Sequence, residues 1–353
     1  MEKKRVAVIF GGCSPEYFVS LMSAFSIINA IDRDKYEVIM IGITQQGTWN
    51  RYYGLVDDIP VDKWREDEML LKRAFISPER GGGLLEFTDG RVEEVRVDVV
   101  FPVLHGRFGE DGTVQGLCEL AGIPVVGAGL ASSALCMDKD RAHKLVALEG
   151  IKVPKSICFE HVPTREEILS AVYELKLPVY VKPVKAGSSY GISKVESYSD
   201  ISEAVNEAFS FDDAVIIEEN VDGFETGCAV VGNDELLVGN VDEIELFQGF
   251  FNYEEKYSLG TSKIHLPARV SEDMQLQLQE TAKVIYRALG CRGYCRVDIF
   301  VSKDGEIIFN EANTIPGFTS KSRFPKMMQS IGIEYPELVD MLIELSLGAQ
   351  SRG

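Results

Sequence analysis

Acidic and amide side chains recur at strand spacing near the end of the chain. Residues 296–301 alternate polar and apolar side chains, and residues 307–313 are interpreted as the partner strand. Alternation with a period of two is typical of β-strands. Asp304-Gly305 stands between the two runs, and this dipeptide favours a two-residue hairpin loop. The pattern predicts an antiparallel hairpin whose loop is 304 and 305.

A loop at 304 and 305 fixes which residues of the hairpin face each other. Asp298 then lies opposite Glu311 and Arg296 opposite Asn313, with all four side chains on one face. Carboxylates roughly 5 Å apart repel each other unless a cation separates them. Oxygen ligands without histidine or cysteine suit Mg²⁺ or Mn²⁺, and Mg²⁺ usually accompanies nucleotide phosphates. The alternative is a solvated face that Arg296 neutralises, and the hairpin alone does not decide between them.

Two lysines and a glycine-serine segment suit an anion. An apolar run over 178–184 contains Lys182 and leads into Gly187-Ser188-Ser189, which offers backbone N–H groups and hydroxyls. It matches neither the Walker A loop nor the dinucleotide fingerprint, so a plain surface turn is the alternative. Lys139 stands at a predicted helix start, where the helix dipole disfavours a cation unless an anion is near. Residues 254–263 are polar and predict either a lid or a mobile connector.

The elements that must position these residues alternate between strands and helices. Strands are predicted at 6–10, 36–43 and 97–104, with helices at 16–31 and 113–121, which indicates an α/β layer with a parallel sheet. The later part mixes α/β and α+β patterns. We expect an N-terminal α/β domain over 1–136, a central domain with the phosphate loop over 137–213, and a C-terminal domain with the metal site and lid over 214–353.

Composition limits the class of protein. The 353 residues carry 36 Lys and Arg against 55 Asp and Glu, a net charge of -19, so nucleic acid and membrane surfaces are poor partners. No segment approaches the roughly 18 consecutive apolar residues of a membrane span. The seven cysteines are scattered, without metal-binding spacing, which favours reduced thiols in a cytoplasmic protein.

Seven short stretches, taken together, resemble the ATP-grasp ligases and, within them, the D-alanine–D-alanine ligases. Each is weak alone, but their common order along nearly the whole chain is specific. The stretches are residues 11–20, 104–112, 137–139, 182–183 with 187–189, 256–257, 296–298, and 310–314 with 316–319.

This resemblance implies a three-domain ATP-grasp architecture, a homodimer, and two Mg²⁺ ions (or Mn²⁺) bound with ATP. ATP would phosphorylate the carboxylate of a first D-alanine, and the amine of a second amino acid would attack the acyl phosphate. The product would be a dipeptide precursor of peptidoglycan. Because charge builds up on phosphoryl and acyl oxygens, cations and N–H groups should supply most of the catalysis.

The resemblance also implies roles for individual residues. The metal ligands would be Asp298, Glu311 and Asn313. The phosphates would contact Lys139, Lys182 and Lys256. Adenine and ribose would lie against Glu218, Glu219, Val221, Glu225 and Phe300. The oxyanion would be stabilised by Arg296 and the Gly317 backbone. The first substrate would meet Glu16 and His105, with Ser188 linking Glu16 to Tyr257. As alternatives, Glu16 is a first-turn helix glutamate, Phe300 is core, and His105 satisfies loop backbone groups.

The second substrate should lie near Ser322 and Arg323. Asp242, Phe251 and Arg323 together resemble the D-alanine–D-serine ligases of the vancomycin-resistance type. A site with polar groups for a serine hydroxyl leaves them unpaired when alanine binds, so D-serine should be preferred over D-alanine. The alternative is an exposed Arg323 and an Asp242 that is one of several acids.

Two departures from the family and three rival functions remain. Tyr17 and Lys321 stand where the family often has histidine, which affects specificity more than activity. One rival is a D-alanine–D-alanine ligase of cell-wall synthesis, and another is an ATP-grasp enzyme that joins other substrates. The third is a non-catalytic ATP-binding protein, which should lack a metal carboxylate or a phosphate lysine. Neither is missing here.

Overall fold

We describe residues 2–187, 190–246 and 262–349 of a computed structural model. In the first sheet, strands β1 (Lys4–Gly11), β2 (Tyr36–Ile43) and β7 (Val99–Val103) run parallel, with β1 in the middle. This confirms the predicted α/β layer. Beyond β2 the sheet continues with antiparallel strands that the sequence did not predict: β3 (Trp49–Tyr52), β4 (Leu71–Ile76), β5 (Leu84–Thr88) and β6 (Arg91–Val95). Three 3-10 turns precede β4: Val56–Asp58, Lys63–Arg65 and Glu68–Leu70.

The helices of this unit are α1 (Tyr17–Ala30), α2 (Thr113–Ala121) and α3 (Leu130–Met137). Helix α1 buries Leu21, Ala24 and Ile28, at helical spacing, against the sheet. The loop before α1 is joined to the loop after β7 by Ser14, whose hydroxyl donates to the His105 carbonyl at 2.7 Å. This bond brings Glu16, at the N-cap position of α1, close to His105.

A second sheet contains β8 (Ser156–Phe159), β9 (Val179–Pro183), β10 (Ser193–Val195) and β11 (Val215–Glu219), covered by α5 (Arg165–Leu175) and α6 (Ile201–Phe209). The predicted boundary at 213/214 assigns β11 to the C-terminal domain. Here the structure differs, because β11 pairs antiparallel with both β8 and β9. Its Val215 and Ile217 side chains complete the core beneath α5 and α6.

The third sheet contains β12 (Gly223–Gly232), β13 (Leu236–Val238), β14 (Asp242–Leu246), β15 (Ser262–His265), β16 (Tyr294–Ser302) and β17 (Ile307–Asn313). Their order is β15-β14-β12-β16-β17, with β13 beside β12. Helices α4 (Lys139–Leu148) and α7 (Glu272–Ala288) pack on this sheet. Ala142 and Val146 of α4 belong to the hydrophobic core of the third sheet. The predicted central domain is therefore divided between the cores of the second and third sheets.

The last helices, α8 (Arg323–Gln329) and α9 (Tyr335–Ala349), return to the first unit. Leu338 and Leu342 share one core with Leu21 and Phe101. The Tyr36 hydroxyl donates to Glu344 at 2.7 Å. The two ends of the chain therefore build a common core. Within the described ranges, no helix has the length and apolar character needed to cross a membrane.

The hairpin β16–β17 has the predicted pairs at the site but a different turn. Asp298 faces Glu311 and Arg296 faces Asn313, as expected. The Ser302 N–H donates to the Glu306 carbonyl, so the loop has three residues and ends at Gly305 with φ of +79°. A bulge at Asn310 then shifts the register back by one residue. The predicted two-residue loop is wrong, and the bulge compensates for it before the carboxylates are reached.

Candidate active site

Two cavities meet between the three sheets. The larger, of about 600 Å³, lies between the second and third sheets. The smaller, of about 330 Å³, lies between the first unit and the third sheet. Lys139, Glu225 and Glu311 line both cavities. A molecule in one cavity can therefore reach a molecule in the other at these three side chains.

The larger cavity collects the residues predicted to hold a nucleotide. It is lined by Lys139, Lys182, Glu218, Glu219, Val221, Glu225 and Phe300. Phe300 thus contributes to a cavity wall, which argues against the alternative of simple core. Glu219 also accepts a hydrogen bond from the Lys155 backbone N–H at 2.9 Å, so it ties the cavity edge to the loop before β8.

Lys182 and Glu218 form a buried ion pair at the back of the larger cavity. Their Nζ and Oε2 atoms are 2.5 Å apart, and the residues are 8% and 2% exposed. Burial alone would lower the pKa of Lys182, but the facing carboxylate outweighs it and the pKa is raised. Burial would likewise raise the pKa of Glu218, but the Lys182 charge outweighs it and the pKa is lowered. Lys182 of β9 pairs with Ile216 of β11, so Glu218, two residues further along β11, lies on the same face of the sheet and diagonal to Lys182.

Lys139 begins α4 and reaches the junction of the cavities. Its Nζ donates to the Ala186 carbonyl at 2.8 Å and lies 4.0 Å from Glu311 Oε2. The helix start is fixed by Asp138, whose side chain accepts from the Arg141 N–H at 3.0 Å. The lysine therefore spans from the phosphate-loop segment to the predicted metal site, where an anionic ligand would offset the unfavourable helix dipole.

The predicted metal residues cluster on one face of β16 and β17. Asn313 Nδ2 lies 2.9 Å from Asp298 Oδ2 and 3.5 Å from Glu311 Oε1. Arg296 donates to both Asp298 oxygens at 2.7 Å. Asp298 is 1% exposed and lies behind Arg296, whereas Glu311 and Asn313 line the smaller cavity. In the described ranges no group of three His, Cys, Asp or Glu side chains has metal-binding geometry. Two carboxylates and an amide oxygen nevertheless form a donor set that suits Mg²⁺.

The first-unit side of the smaller cavity presents Glu16 and His105, both buried. His105 Nδ1 lies 2.9 Å from the Ile315 carbonyl oxygen, which can only accept, so Nδ1 carries the hydrogen. Burial lowers the pKa of His105 and keeps the ring neutral. Its Nε2 is then a buried acceptor without a partner in the described part of the chain. A carboxylate and a neutral imidazole acceptor together suit an ammonium group.

Glu110 is a site residue that the residue-by-residue predictions missed. It lines the smaller cavity and accepts from the backbone N–H groups of Gly106, at 2.8 Å, and Ile315, at 3.2 Å. Burial, and secondarily the charge of Glu16, raise the pKa of Glu110 to about 8. Its place in the 104–112 stretch was a usable signal. That stretch was noted as a whole, however, and no role was assigned to Glu110 within it.

The side of the smaller cavity that was predicted to hold the second substrate includes Arg323, at the start of α8. Arg323 Nε and Nη2 donate to the two Asp242 oxygens at 2.8 and 2.7 Å. The side chains are 13% and 1% exposed, which excludes the alternative of an exposed arginine. Asp242 does not line the cavity but contacts Arg323, which does. Desolvation would lower the pKa of Arg323, but Asp242 outweighs it and the pKa is raised.

Gly317 and Ser322 line the same side of the cavity. The Ser322 hydroxyl accepts from the Thr319 N–H at 3.0 Å and so shapes the turn that presents Gly317. Tyr17 and Lys321 stand where the family often has histidine. Lys321 lines the smaller cavity, whereas Tyr17 is buried in the core of the first unit, and its hydroxyl donates to Asp62 at 2.7 Å. Ser188, Phe251, Lys256 and Tyr257 lie outside the described residues.

A larger cavity between two sheets opens at Lys139, Glu225 and Glu311 onto a smaller cavity beside the first unit. This arrangement is that of an ATP-grasp carboxylate–amine ligase. Residues 5–128 match the family described as D-ala D-ala ligase N-terminus, and residues 145–344 match D-ala D-ala ligase C-terminus.

Individual relatives agree with this match. The solved structure of the VanG D-Ala:D-Ser ligase from Enterococcus faecalis is 52% identical, covers 98% of this chain and 100% of its own, and superposes with a TM-score of 0.89. The D-alanine–D-alanine ligase of Caldicellulosiruptor bescii is 44% identical over 98% of this chain and 96% of its own. The vancomycin B-type resistance protein VanB of Enterococcus faecalis is 44% identical over 98% and 99%. The chain belongs to the D-alanine–D-alanine ligase family and is an ATP-dependent ligase.

Proposed function

We propose that this enzyme joins D-alanine to D-serine through a D-alanyl phosphate and so makes a precursor dipeptide of peptidoglycan. The observation that carries the choice of D-serine is the buried Arg323–Asp242 pair beside the smaller cavity. Overall similarity does not decide it, since the relatives named above include a D-alanine–D-alanine ligase and a D-Ala:D-Ser ligase.

The pair favours a substrate with a hydroxyl group. Nε and Nη2 of Arg323 are directed at Asp242, while Nη1 lies 3.7 Å from Glu225, and the residue lines the smaller cavity, where a further acceptor would bind. The D-serine hydroxyl supplies that acceptor inside a closed site. With D-alanine, the guanidinium is still removed from water but has no hydroxyl to donate to. A buried donor without an acceptor costs about 1–3 kcal/mol. Discrimination follows from this cost rather than from pocket size.

The first D-alanine is held by groups on the opposite wall. Glu16 and the Nε2 acceptor of His105 receive its ammonium group, which directs its carboxylate toward Lys139 and Glu311. Lys139 and Lys182 contact the ATP phosphates from the larger cavity. Asp298, Glu311 and Asn313 would hold Mg²⁺, which when bound neutralises charge on the transferred phosphoryl group.

The second step is the attack of the D-serine amine on the acyl phosphate. The carbonyl oxygen becomes an oxyanion while the C–N bond forms. When the oxyanion collapses, the C–O bond breaks, and the leaving phosphate takes the proton that the nitrogen releases. Arg296 and the Gly317 N–H lie on the cavity wall that this oxyanion faces. Because two of the three guanidinium nitrogens of Arg296 already donate to Asp298, little reorganisation is needed at the moment of reaction.

The experiment is a competition assay. Purified enzyme receives ATP, Mg²⁺ and D-alanine with equal D-serine or D-lactate, and products are identified by mass spectrometry alongside ADP release. Mainly D-alanyl-D-serine is expected. Mainly D-alanyl-D-alanine would refute D-serine preference and retain the chemistry, whereas ATP binding without any dipeptide would refute the ligase proposal.

A matched pair of variants tests the specificity residue. Arg323→Met should lower the D-serine to D-alanine product ratio about tenfold, which corresponds to about 1.4 kcal/mol. Arg292→Met removes an exposed arginine outside both cavities and should leave the ratio unchanged. An unchanged ratio in Arg323→Met would count against the assignment.

A further inference from the structure

A row of cross-strand neighbours passes beneath Arg323. Asp242 of β14 pairs with Gly227 of β12, Gly227 pairs with Asp298 of β16, and Asp298 pairs with Glu311 of β17. Three of the four positions in this row carry carboxylates. Only Gly227, between two of them, has no side chain.

The guanidinium of Arg323 lies over that gap. Its Nη2 is 2.7 Å from Asp242 Oδ1 on one side and 3.7 Å from Asp298 Oδ1 on the other. A Cβ built on Gly227 would lie 2.5 Å from Arg323 Nη2 and 2.6 Å from Asp242 Oδ1. Any side chain at 227 would therefore occupy the space of the ion pair. The close contacts are with side-chain ends and not with backbone, so the strands can keep their pairing when the guanidinium moves.

We infer that Gly227 is a specificity-determining position for the second substrate. It acts as a positioning residue. Because it has no side chain, the guanidinium of Arg323 can lie over the backbone of β12, where Asp242 holds it beside the cavity. This inference rests on the proposed D-serine preference and adds a residue that has no polar group. A one-carbon substitution there displaces the guanidinium and leaves the groups that contact ATP in place.

The test uses Gly227→Ala in the full-length enzyme, with Gly348→Ala as control. Gly348 is an exposed position of α9 where an added Cβ would have no atom within 4 Å. We expect Gly227→Ala to lower the D-serine to D-alanine product ratio about tenfold, the effect expected of losing one polar contact. The change should come from the KM for D-serine, with turnover of D-alanine alone retained. Gly348→Ala should keep the wild-type ratio.

A double variant separates positioning from general damage. In Arg323→Met enzyme, adding Gly227→Ala should change the ratio less than about twofold, because the group it displaces is already gone. An equal fall in both backgrounds, or an unchanged ratio in Gly227→Ala alone, would overturn the inference. If Gly227→Ala folds only together with Arg323→Met, the clash with the guanidinium is supported. Failure to fold in both backgrounds would refute it.

The same assays distinguish this inference from the function on which it rests. A wild-type enzyme without D-serine preference refutes the proposed function. A wild-type enzyme that prefers D-serine and loses the preference in Arg323→Met, but not in Gly227→Ala, refutes the role of Gly227 alone.

Discussion

Removal of one charge from the Lys182–Glu218 pair should destabilise the protein in a pH-dependent way. Lys182→Met keeps most of the length of the side chain but removes the ammonium group that faces the buried Glu218 carboxylate at 2.5 Å. The wild-type pair holds the pKa of Glu218 below its ordinary value, so its contribution to stability is present at neutral pH and is lost as pH falls through the folded-state pKa. In the variant, Glu218 must instead take up a proton on folding.

The magnitude follows from this proton. pH 7 lies 2.5 units above the ordinary glutamate pKa of 4.5, and each unit is worth about 1.4 kcal/mol. Lys182→Met should therefore lose about 3.5 kcal/mol of unfolding free energy at pH 7. The loss relative to wild type should shrink by about 1.4 kcal/mol per pH unit as pH falls toward 4.5.

The assay is urea unfolding followed by circular dichroism at pH 5, 6 and 7, without ATP. Lys182→Met/Glu218→Gln serves as the matched control, because it removes both charges. It should recover most of the loss at pH 7 and show little pH dependence relative to wild type. A pH-independent loss in Lys182→Met, or a double variant no more stable than the single one, would refute this reasoning.

Three further outcomes are expected. Glu311→Gln should lower ADP release at least about 100-fold with an unchanged circular dichroism spectrum, because it removes a charge where the phosphoryl group transfers; near wild-type turnover would contradict the metal site. His105→Ala should raise the KM for the first D-alanine about tenfold through the lost acceptor, and an unchanged KM would show that Nε2 does not contact it. Burial raises the pKa of Glu110 to about 8, so the wild-type protein should lose stability as pH rises from about 4.5 to 8. Glu110→Gln should abolish this dependence, and parallel pH profiles of unfolding for the two proteins would argue against it.

The hairpin shows how far sequence reasoning reached. The pairs Asp298–Glu311 and Arg296–Asn313 were predicted from alternation and a turn dipeptide, and both are present. The turn itself has three residues, and the bulge at Asn310 restores the register. Sequence spacing counts residues but does not reveal a bulge, since the extra residue has no distinctive type. The functional pairs agree because the loop and the bulge compensate.

Long-range contacts were harder to predict. Arg323 and Asp242 are 81 residues apart, and resemblance named both, but nothing in the sequence showed that Asp242 reaches the cavity only through Arg323. Strands β3 to β6 were missed because their short, partly exposed segments lack a continuous apolar run. The predicted boundary at 213/214 separated β11 from β8 and β9, since pairing partners are chosen in three dimensions. Gly227 has meaning only once its two neighbours in the sheet are known.

The shared core of the chain ends has a consequence for synthesis. Leu338 and Leu342 of α9 complete the core that begins at β1, and Asp340 binds Lys35 at 2.7 Å. A ribosome releases these residues long after β1 and α1, so the first unit emerges with part of its apolar face uncovered until α9 follows. The second sheet has a core of its own between residues 157 and 217 and can close earlier. We therefore expect the middle of this enzyme to fold before its beginning, and a truncation before α9 to leave the N-terminal unit dependent on chaperones.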